Sequence, residues 1–221
     1  FYDCESLVKI DLPSSLKSID ERAFSYCKSL VNVNMHDGVT FIGDYAFSHC
    51  LNLVEIFLPN SLTSIGGNCF EYCYSIKQIT IPSSVKSLGT GCFKECHKLE
   101  KINIPSSIKK LSSCLFDQCI SLTKIEIPQS VTIIDNGCFN SCSNLLEITI
   151  PPFVTSIGDG CFSQCKSLEK VKFESSTLIK SIGNNTFSFC IKLKEINLPS
   201  SLRLCFRKLF IIESIEITTI D

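Results

Sequence analysis

One spacing governs this chain: phenylalanine recurs every 23 residues. It occupies positions 1, 24, 47, 70, 93, 116, 139 and 162, and Phe187 follows after 25 residues before Phe210 restores the step of 23. A cysteine stands three residues after each of the first nine. Written once, the unit is L-x-x-I-x-I-P-x-S-V-x-x-I-G-x-x-x-F-x-x-C-x-x. Because one such unit cannot bury its own apolar positions, it must stack on the next, which predicts a solenoid.

Each part of the unit predicts a local structure. Ile102 and Ile104 alternate with polar residues, as in a short half-buried strand, and Pro105 ends the strand because it has no N–H for a further ladder bond. We expect a short helical turn around each Phe, with the Phe, the residue before it and the Cys three after it facing the core. A glycine recurs shortly before the Phe, and we expect it to have a positive φ. It is present as Gly43, Gly66, Gly89, Gly158 and Gly183.

Composition removes several classes of protein. The apolar fraction is 44% and the net charge is −1, so the chain is not intrinsically disordered. The 21 Lys and Arg against 22 Asp and Glu leave no basic excess, so we expect no nucleic-acid partner. No apolar run approaches the roughly 18 residues of a membrane span. The chain opens Phe1-Tyr2-Asp3-Cys4 without a leader, so we expect any targeting segment to lie outside it.

The run from Ile81-Pro82-Ser83-Ser84-Val85 through Phe93 and Cys96 resembles the repeat of the BspA-like leucine-rich-repeat family. The resemblance covers roughly residues 1–200 and recurs eight or nine times. It implies a leucine-rich-repeat solenoid of the α/β repeat class, with a parallel β-ladder on one face and short helical turns on the other. It also implies a surface antigen of a microbe or parasitic protist that takes part in adhesion to host matrix proteins. It supplies no catalytic residues.

We assign residues 1–200 to the solenoid, with about nine 23-residue repeats and a two-residue insertion near 174–178. The insertion predicts a small bulge. After Leu202 the pattern decays, so residues 201–221 form either a degenerate terminal repeat that caps the stack or the point where a longer array continues.

The 15 cysteines allow more than one chemistry. Cys69, Cys92, Cys138 and Cys161 precede their Phe and create C-F-x-x-C, a spacing compatible with zinc ligands. Other repeats place Ala46 or Leu115 there, so the position favours a small or apolar side chain, and we expect no metal and no cofactor. We expect mostly reduced, buried thiols, while a few disulfides between the two cysteine columns stay open as an alternative.

Catalysis has little support, and we expect no enzyme and no small-molecule substrate. The three histidines, His36, His49 and His97, fall in different columns, and none adjoins a recurrent acid. His97 follows Cys96 directly, but neighbours on a helical turn do not face each other, so we expect His97 to be solvated.

The outward strand positions are therefore the candidate binding surface. We call them the strand stripe, a row of mixed charge on which Phe57 is the one aromatic anchor. The candidate partner-binding residues are Val54, Glu55, Phe57, Lys77, Gln78, Lys101, Asn103, Lys124, Glu126, Glu147, Lys170 and Lys172. We expect a protein partner and a cell-surface or secreted adhesin; an intracellular repeat scaffold is the alternative.

Overall fold

A computed structural model describes residues 1–199, Leu202 and the backbone of the strand at 216–220. Over this range the chain winds into a solenoid in which each 23-residue rung lies directly on the one before it. Every strand pairing in it is parallel, and the register advances by one repeat, as in Ile10 opposite Val33. The predicted parallel ladder is therefore confirmed.

The rungs contribute strands to two walls. The first wall carries strands of two to five residues, and the second carries two-residue strands. The strands are β1 Lys9–Asp11, β2 Ser18–Ile19, β3 Asn32–Asn34, β4 Phe41–Ile42, β5 Glu55–Ile56, β6 Ser64–Ile65, β7 Gln78–Thr80, β8 Ser87–Leu88, β9 Lys101–Asn103, β10 Lys110–Leu111, β11 Ile133–Ile134, β12 Glu147–Ile150, β13 Ser156–Ile157, β14 Lys170–Phe173, β15 Ser181–Ile182, β16 Glu195–Pro199 and β17 Glu216–Ile220.

The strands of the first wall fall into three blocks. The first block is β1-β3-β5, the second is β7-β9 and the third is β12-β14-β16-β17. The second wall forms β2-β4-β6-β8 and β10-β11-β13-β15. The segment around Ile125 lies between the second and third blocks without forming a strand.

A continuous column of aromatic rings and thiols runs through the core beside buried Leu, Ile and Val side chains. The phenylalanines from Phe24 to Phe187 are at most 3% exposed, and the cysteines that follow them from Cys27 to Cys190 are fully buried. Successive rings stack with centroids 5.3–5.9 Å apart. The prediction that the Phe and Cys columns form the core is confirmed.

The predicted helical turns are wrong, since the described residues contain no α-helix. In each rung from Phe24 to Phe187, the residues two before and two after the Phe have a positive φ, as Tyr45 and His49 do around Phe47. Left-handed residues at these positions interrupt the consecutive right-handed dihedrals that a helix needs. The turns instead direct alternate N–H groups toward the next rung.

The reason proposed for the recurrent glycines is also wrong. Gly43, Gly66, Gly89, Gly158 and Gly183 do not have a positive φ. A Cβ on Gly43 would lie 2.6 Å from the backbone nitrogen of Glu21 in the rung below. The column is therefore glycine because two backbones approach closely there, and a side chain has no room.

The insertion at 174–178 adds a turn in which Ser176 has a φ of 59°. The N–H of Leu178 then donates to the carbonyl of Pro152 at 2.7 Å, so the inserted rung rejoins the stack. The predicted terminal repeat or cap at 201–221 lies outside the described residues, apart from Leu202 and the backbone of β17, which pairs in parallel with β16.

Candidate functional site

The turn side of the solenoid uses its backbone donors to hold the rungs together. In each rung from Phe24 to Phe162, the N–H of the phenylalanine donates to the carbonyl of the residue before the next phenylalanine, at 2.8–3.0 Å. Phe93 bonds to Leu115 in this way, and Phe116 bonds to Cys138. This ladder is continuous along the rod.

The cysteine column supplies a second set of bonds between rungs. Each thiol from Cys27 to Cys190 donates to the carbonyl of the phenylalanine in the rung below, at 3.0–3.2 Å, as Cys96 does to Phe70. Burial raises the pKa of these thiols, to about 12 for Cys190, so they keep the proton that the bond needs. The 14 described cysteines are all free thiols. Sequence reasoning predicted the burial of this column but missed its role as a donor.

A stack of aromatic rings along the turn side was also missed. Tyr26, His49 and Tyr72 occupy equivalent positions in successive rungs, with ring centroids 4.2 and 4.4 Å apart. Comparing the second position after each Phe would have found it. Because the rings cover one another's faces, the stack offers mainly edges to a ligand.

His97 differs from its prediction. Its Nε2 lies 2.8 Å from Oε2 of Glu95, and its ring stacks on Tyr74 at 4.6 Å. The acid is Glu95, two positions before His97. It does not recur at the same position in other rungs, so the search for recurrent acids did not find it. Among the described residues no group of three or more His, Cys, Asp or Glu side chains is arranged to hold a metal ion.

The strand stripe is open to solvent. All twelve candidate partner-binding residues are exposed, and Val54 and Phe57 are 50% and 61% exposed. They form three columns, headed by Val54, Glu55 and Phe57, each of which repeats at the 23-residue step along the first wall. The predicted orientation of these side chains is confirmed, while their role in binding stays a prediction.

The structure brings the candidates together in two groups. The Phe57 groove, of about 730 Å³, is lined by the candidates Val54, Glu55, Phe57, Lys77, Gln78 and Lys101, together with Glu100 and apolar neighbours such as Leu58. The Glu126 groove, of about 660 Å³, is lined by the candidates Lys124, Glu126 and Glu147, together with Glu174. Lys170 and Lys172 lie farther along the rod on β14.

Asn103 differs from the other candidates because its amide already has partners. Its Oδ1 accepts the N–H of Ile81 at 2.9 Å, and its Nδ2 donates to the carbonyl of Ile81 at 3.1 Å. The side chain thus takes the place of a ladder bond between two rungs. We assign Asn103 a structural role, which alternation along the strand could not reveal.

Charge along the stripe is partly neutralised. Beyond the two grooves, Lys170 pairs with Glu195 at 2.9 Å and Lys194 pairs with Glu169 at 3.0 Å. In the Phe57 groove, by contrast, none of Glu55, Lys77, Glu100 and Lys101 makes an ion pair with another described residue. Charges of both signs are therefore available to a partner there.

Comparison with known proteins agrees with this architecture. The sequence model of the BspA type leucine-rich repeat region matches residues 1–123 and 110–221, with six copies. The chain belongs to the BspA-type leucine-rich repeat family. This family and its fold are typically non-enzymatic and generally mediate protein–protein contacts. No curated protein matches the chain significantly.

Several solved structures share the fold of this BspA-type chain. A leucine-rich repeat protein from Bacteroides ovatus matches with a TM-score of 0.68 and 24% identity, over 100% of this chain and 86% of that one. The leucine-rich repeat protein of T. pallidum matches with a TM-score of 0.62 and 26% identity, over 96% and 87%. A leucine-rich cell surface protein from Faecalibacterium prausnitzii matches with a TM-score of 0.55 and 25% identity, over 98% and 74%. The described part of the chain has no helix long and apolar enough to cross a bilayer.

Proposed function

We propose that this chain is a non-enzymatic module that binds a partner protein across the strand stripe. The observation that carries the proposal is the contrast between the two sides of the rod. On the turn side, backbone N–H groups and aromatic rings are engaged with neighbouring rungs. On the strand side, a row of exposed charged and apolar side chains runs past successive rungs, so that many weak contacts add up along a rigid surface.

The partner in this proposal is a host surface or extracellular-matrix protein, and the chain acts as an adhesin at a cell surface. The similarity to a leucine-rich cell surface protein of F. prausnitzii supports that location. Labelling intact source cells with a membrane-impermeant amine-reactive biotin tests it, because exposed lysines such as Lys77 and Lys170 can react. Labelling of this chain, with intracellular proteins unlabelled, is expected. Protection equal to that of intracellular proteins would reject the surface location.

Binding is tested with a panel of immobilised extracellular-matrix proteins. Charge reversal at Lys101 and Lys170 on the strand stripe should abolish retention of the chain on any matrix protein that it recognises. The matched control reverses Lys166 and Lys192, which are also exposed but lie outside the stripe. Equal loss with both pairs would indicate nonspecific charge attraction, and retention of the stripe variant would place the binding surface elsewhere.

One observation favours a second function, an intracellular scaffold for proteins of the same cell. The column thiols donate hydrogen bonds within the fold, and a disulfide would remove that donor. Proteins with many buried reduced cysteines are typical of reducing compartments. Extensive disulfide formation, measured by thiol counting after rapid acid quenching of source cells, would reject the scaffold proposal.

A further inference from the structure

Asn136 precedes Gly137, and this is the one Asn-Gly pair in the chain. Asparagine before glycine is prone to deamidation, because glycine has no side chain to hinder the attack of its backbone nitrogen on the asparagine Cγ. Asn136 is exposed, so solvent water can complete the reaction. The pair therefore carries a covalent chemistry of its own, which does not depend on a binding partner.

The fold binds both reacting groups to the next rung. Oδ1 of Asn136 accepts the N–H of Asp159 at 2.8 Å, and the N–H of Gly137 donates to the carbonyl of Asp159 at 2.9 Å. Deamidation requires the Asn136 side chain to turn back and the Gly137 nitrogen to give up its proton. Both hydrogen bonds to Asp159 must therefore break before the nitrogen can attack.

We propose that the Asn136-Gly137 pair is a self-modification site, at which opening of the contact with Asp159 sets the rate of deamidation. The nitrogen of Gly137 forms a bond to Cγ of Asn136, and the Cγ–Nδ2 bond breaks. Nδ2 leaves as ammonia with the proton of the Gly137 N–H, and a succinimide ring remains. Water then opens the ring at Cγ to give aspartate, or at the main-chain carbonyl to give isoaspartate, and no redox partner is needed.

The repeat accommodates one product and not the other. Asp44 and Asp159 occupy the position of Asn136 in their own rungs. Oδ1 of each accepts an N–H of the next rung at 2.6 Å, from Gly67 and Asn184 respectively. Aspartate at position 136 can therefore keep the bond to Asp159. Isoaspartate adds one carbon to the main chain, which displaces the following N–H from its acceptor and removes a bond from the turn ladder.

The rate is measured on the full chain in a reducing, mildly alkaline buffer, with and without enough urea to unfold it. Peptide mass spectrometry detects the mass gain at position 136, and Asn60, which is exposed and precedes serine, is the internal control. Position 136 should react before Asn60 in both buffers, but about tenfold or more slowly when folded, because two hydrogen bonds must open. Equal rates with and without urea, or no product in the folded chain, would overturn the proposal.

A glycine substitution tests whether this contact controls the rate. A Cβ on Gly158 would collide with the backbone nitrogen and Oδ1 of Asn136, so Gly158→Ala should loosen the contact and raise the folded-state rate about threefold or more. Gly66→Ala is the matched control, because its Cβ would collide with the same two atoms of Asp44, at a distant rung. Equal rates in the two variants would reject local control. If Gly158→Ala does not fold, the comparison with and without urea still decides.

The two products are distinguished by their stability. Ion exchange separates deamidated from unmodified chains, because the reaction adds one negative charge, and electron-transfer fragmentation identifies the isoaspartate. The Asn136→Asp variant should melt at the temperature of the unmodified chain, whereas the isoaspartate fraction should melt lower. Melting of Asn136→Asp as low as the isoaspartate fraction would contradict the accommodation of aspartate at this position.

Discussion

Replacing Phe93 by alanine removes a fully buried ring from the middle of the stacked column. The ring lies 5.5 Å from Phe70 and 5.9 Å from Phe116, with planes within 8° of parallel. Because rungs are about 4.8 Å apart, these centroid distances mean that the rings are offset, which is the favourable geometry for aromatic stacking.

The expected cost follows from that burial. A phenylalanine buries about 150–250 Å², which at about 25 cal/mol per Å² corresponds to about 4–6 kcal/mol. Alanine recovers part of this, and both neighbouring rings lose a contact that the rigid stack cannot replace by collapse. We therefore expect Phe93→Ala to lower the free energy of unfolding by about 3–5 kcal/mol.

Urea denaturation followed by circular dichroism in a reducing buffer measures this loss. Phe57→Ala is the matched control, since Phe57 is 61% exposed and should cost less than about 0.5 kcal/mol. The denaturant slope should be unchanged, because a changed slope would mean that the rod unfolds in parts. A loss below about 1 kcal/mol for Phe93→Ala, or equal losses for the two variants, would refute the assignment of the Phe column to the core.

Three further predictions test other positions. Cys96→Ala should lower the free energy of unfolding by about 1 kcal/mol, measured by urea denaturation, because the hydrogen bond to the Phe70 carbonyl is lost. Cys96→Asp should prevent folding, because its charge would be buried without a partner. Gly43→Ala should lower the melting temperature far more than Gly67→Ala. The added Cβ would lie 2.6 Å from its nearest backbone atom at Gly43 but 3.2 Å from the Thr90 carbonyl oxygen at Gly67. Equal shifts would contradict close approach as the cause. Burial raises the pKa of the Asp117 carboxyl above its ordinary 3.8. The contribution of this group to stability is therefore lost as pH rises from 3.8 through the raised pKa. Asp117→Asn should gain stability relative to wild type between acid and neutral pH, as measured by urea denaturation at each pH.

The repeat period was enough to predict the architecture. Equal spacing of Phe93 and Cys96 with their counterparts in other rungs fixes which side chains stack, and alternation around Ile79 fixes which side chains point outward. Parallel pairing follows because successive strands run in the same direction after one full turn of the solenoid. Each of these inferences rests on a spacing or an alternation that recurs in every repeat.

The conformation of the turns could not be predicted in the same way. Residues as different as Arg22, Asn68 and Glu95 all have a positive φ, and most of these types do not favour that region. Their conformation is imposed by hydrogen bonds to the neighbouring rungs. The recurrent glycine was misread for the same reason, since the close approach at Gly43 involves the backbone of the rung below rather than the local chain.

For the candidate site too, the sequence predicts some features and not others. Alternation predicts that Val54, Phe57 and Lys77 are exposed, but it cannot predict that β5 and β7 fail to bond, because Val54 and Lys77 are 23 residues apart just as Val31 and Val54 are. Because every rung has the same spacing, the repeat carries no signal for where the row of bonds is interrupted. The Phe57 groove is therefore distinguished by the identity of its side chains, such as Val54 and Phe57, rather than by its place in the repeat.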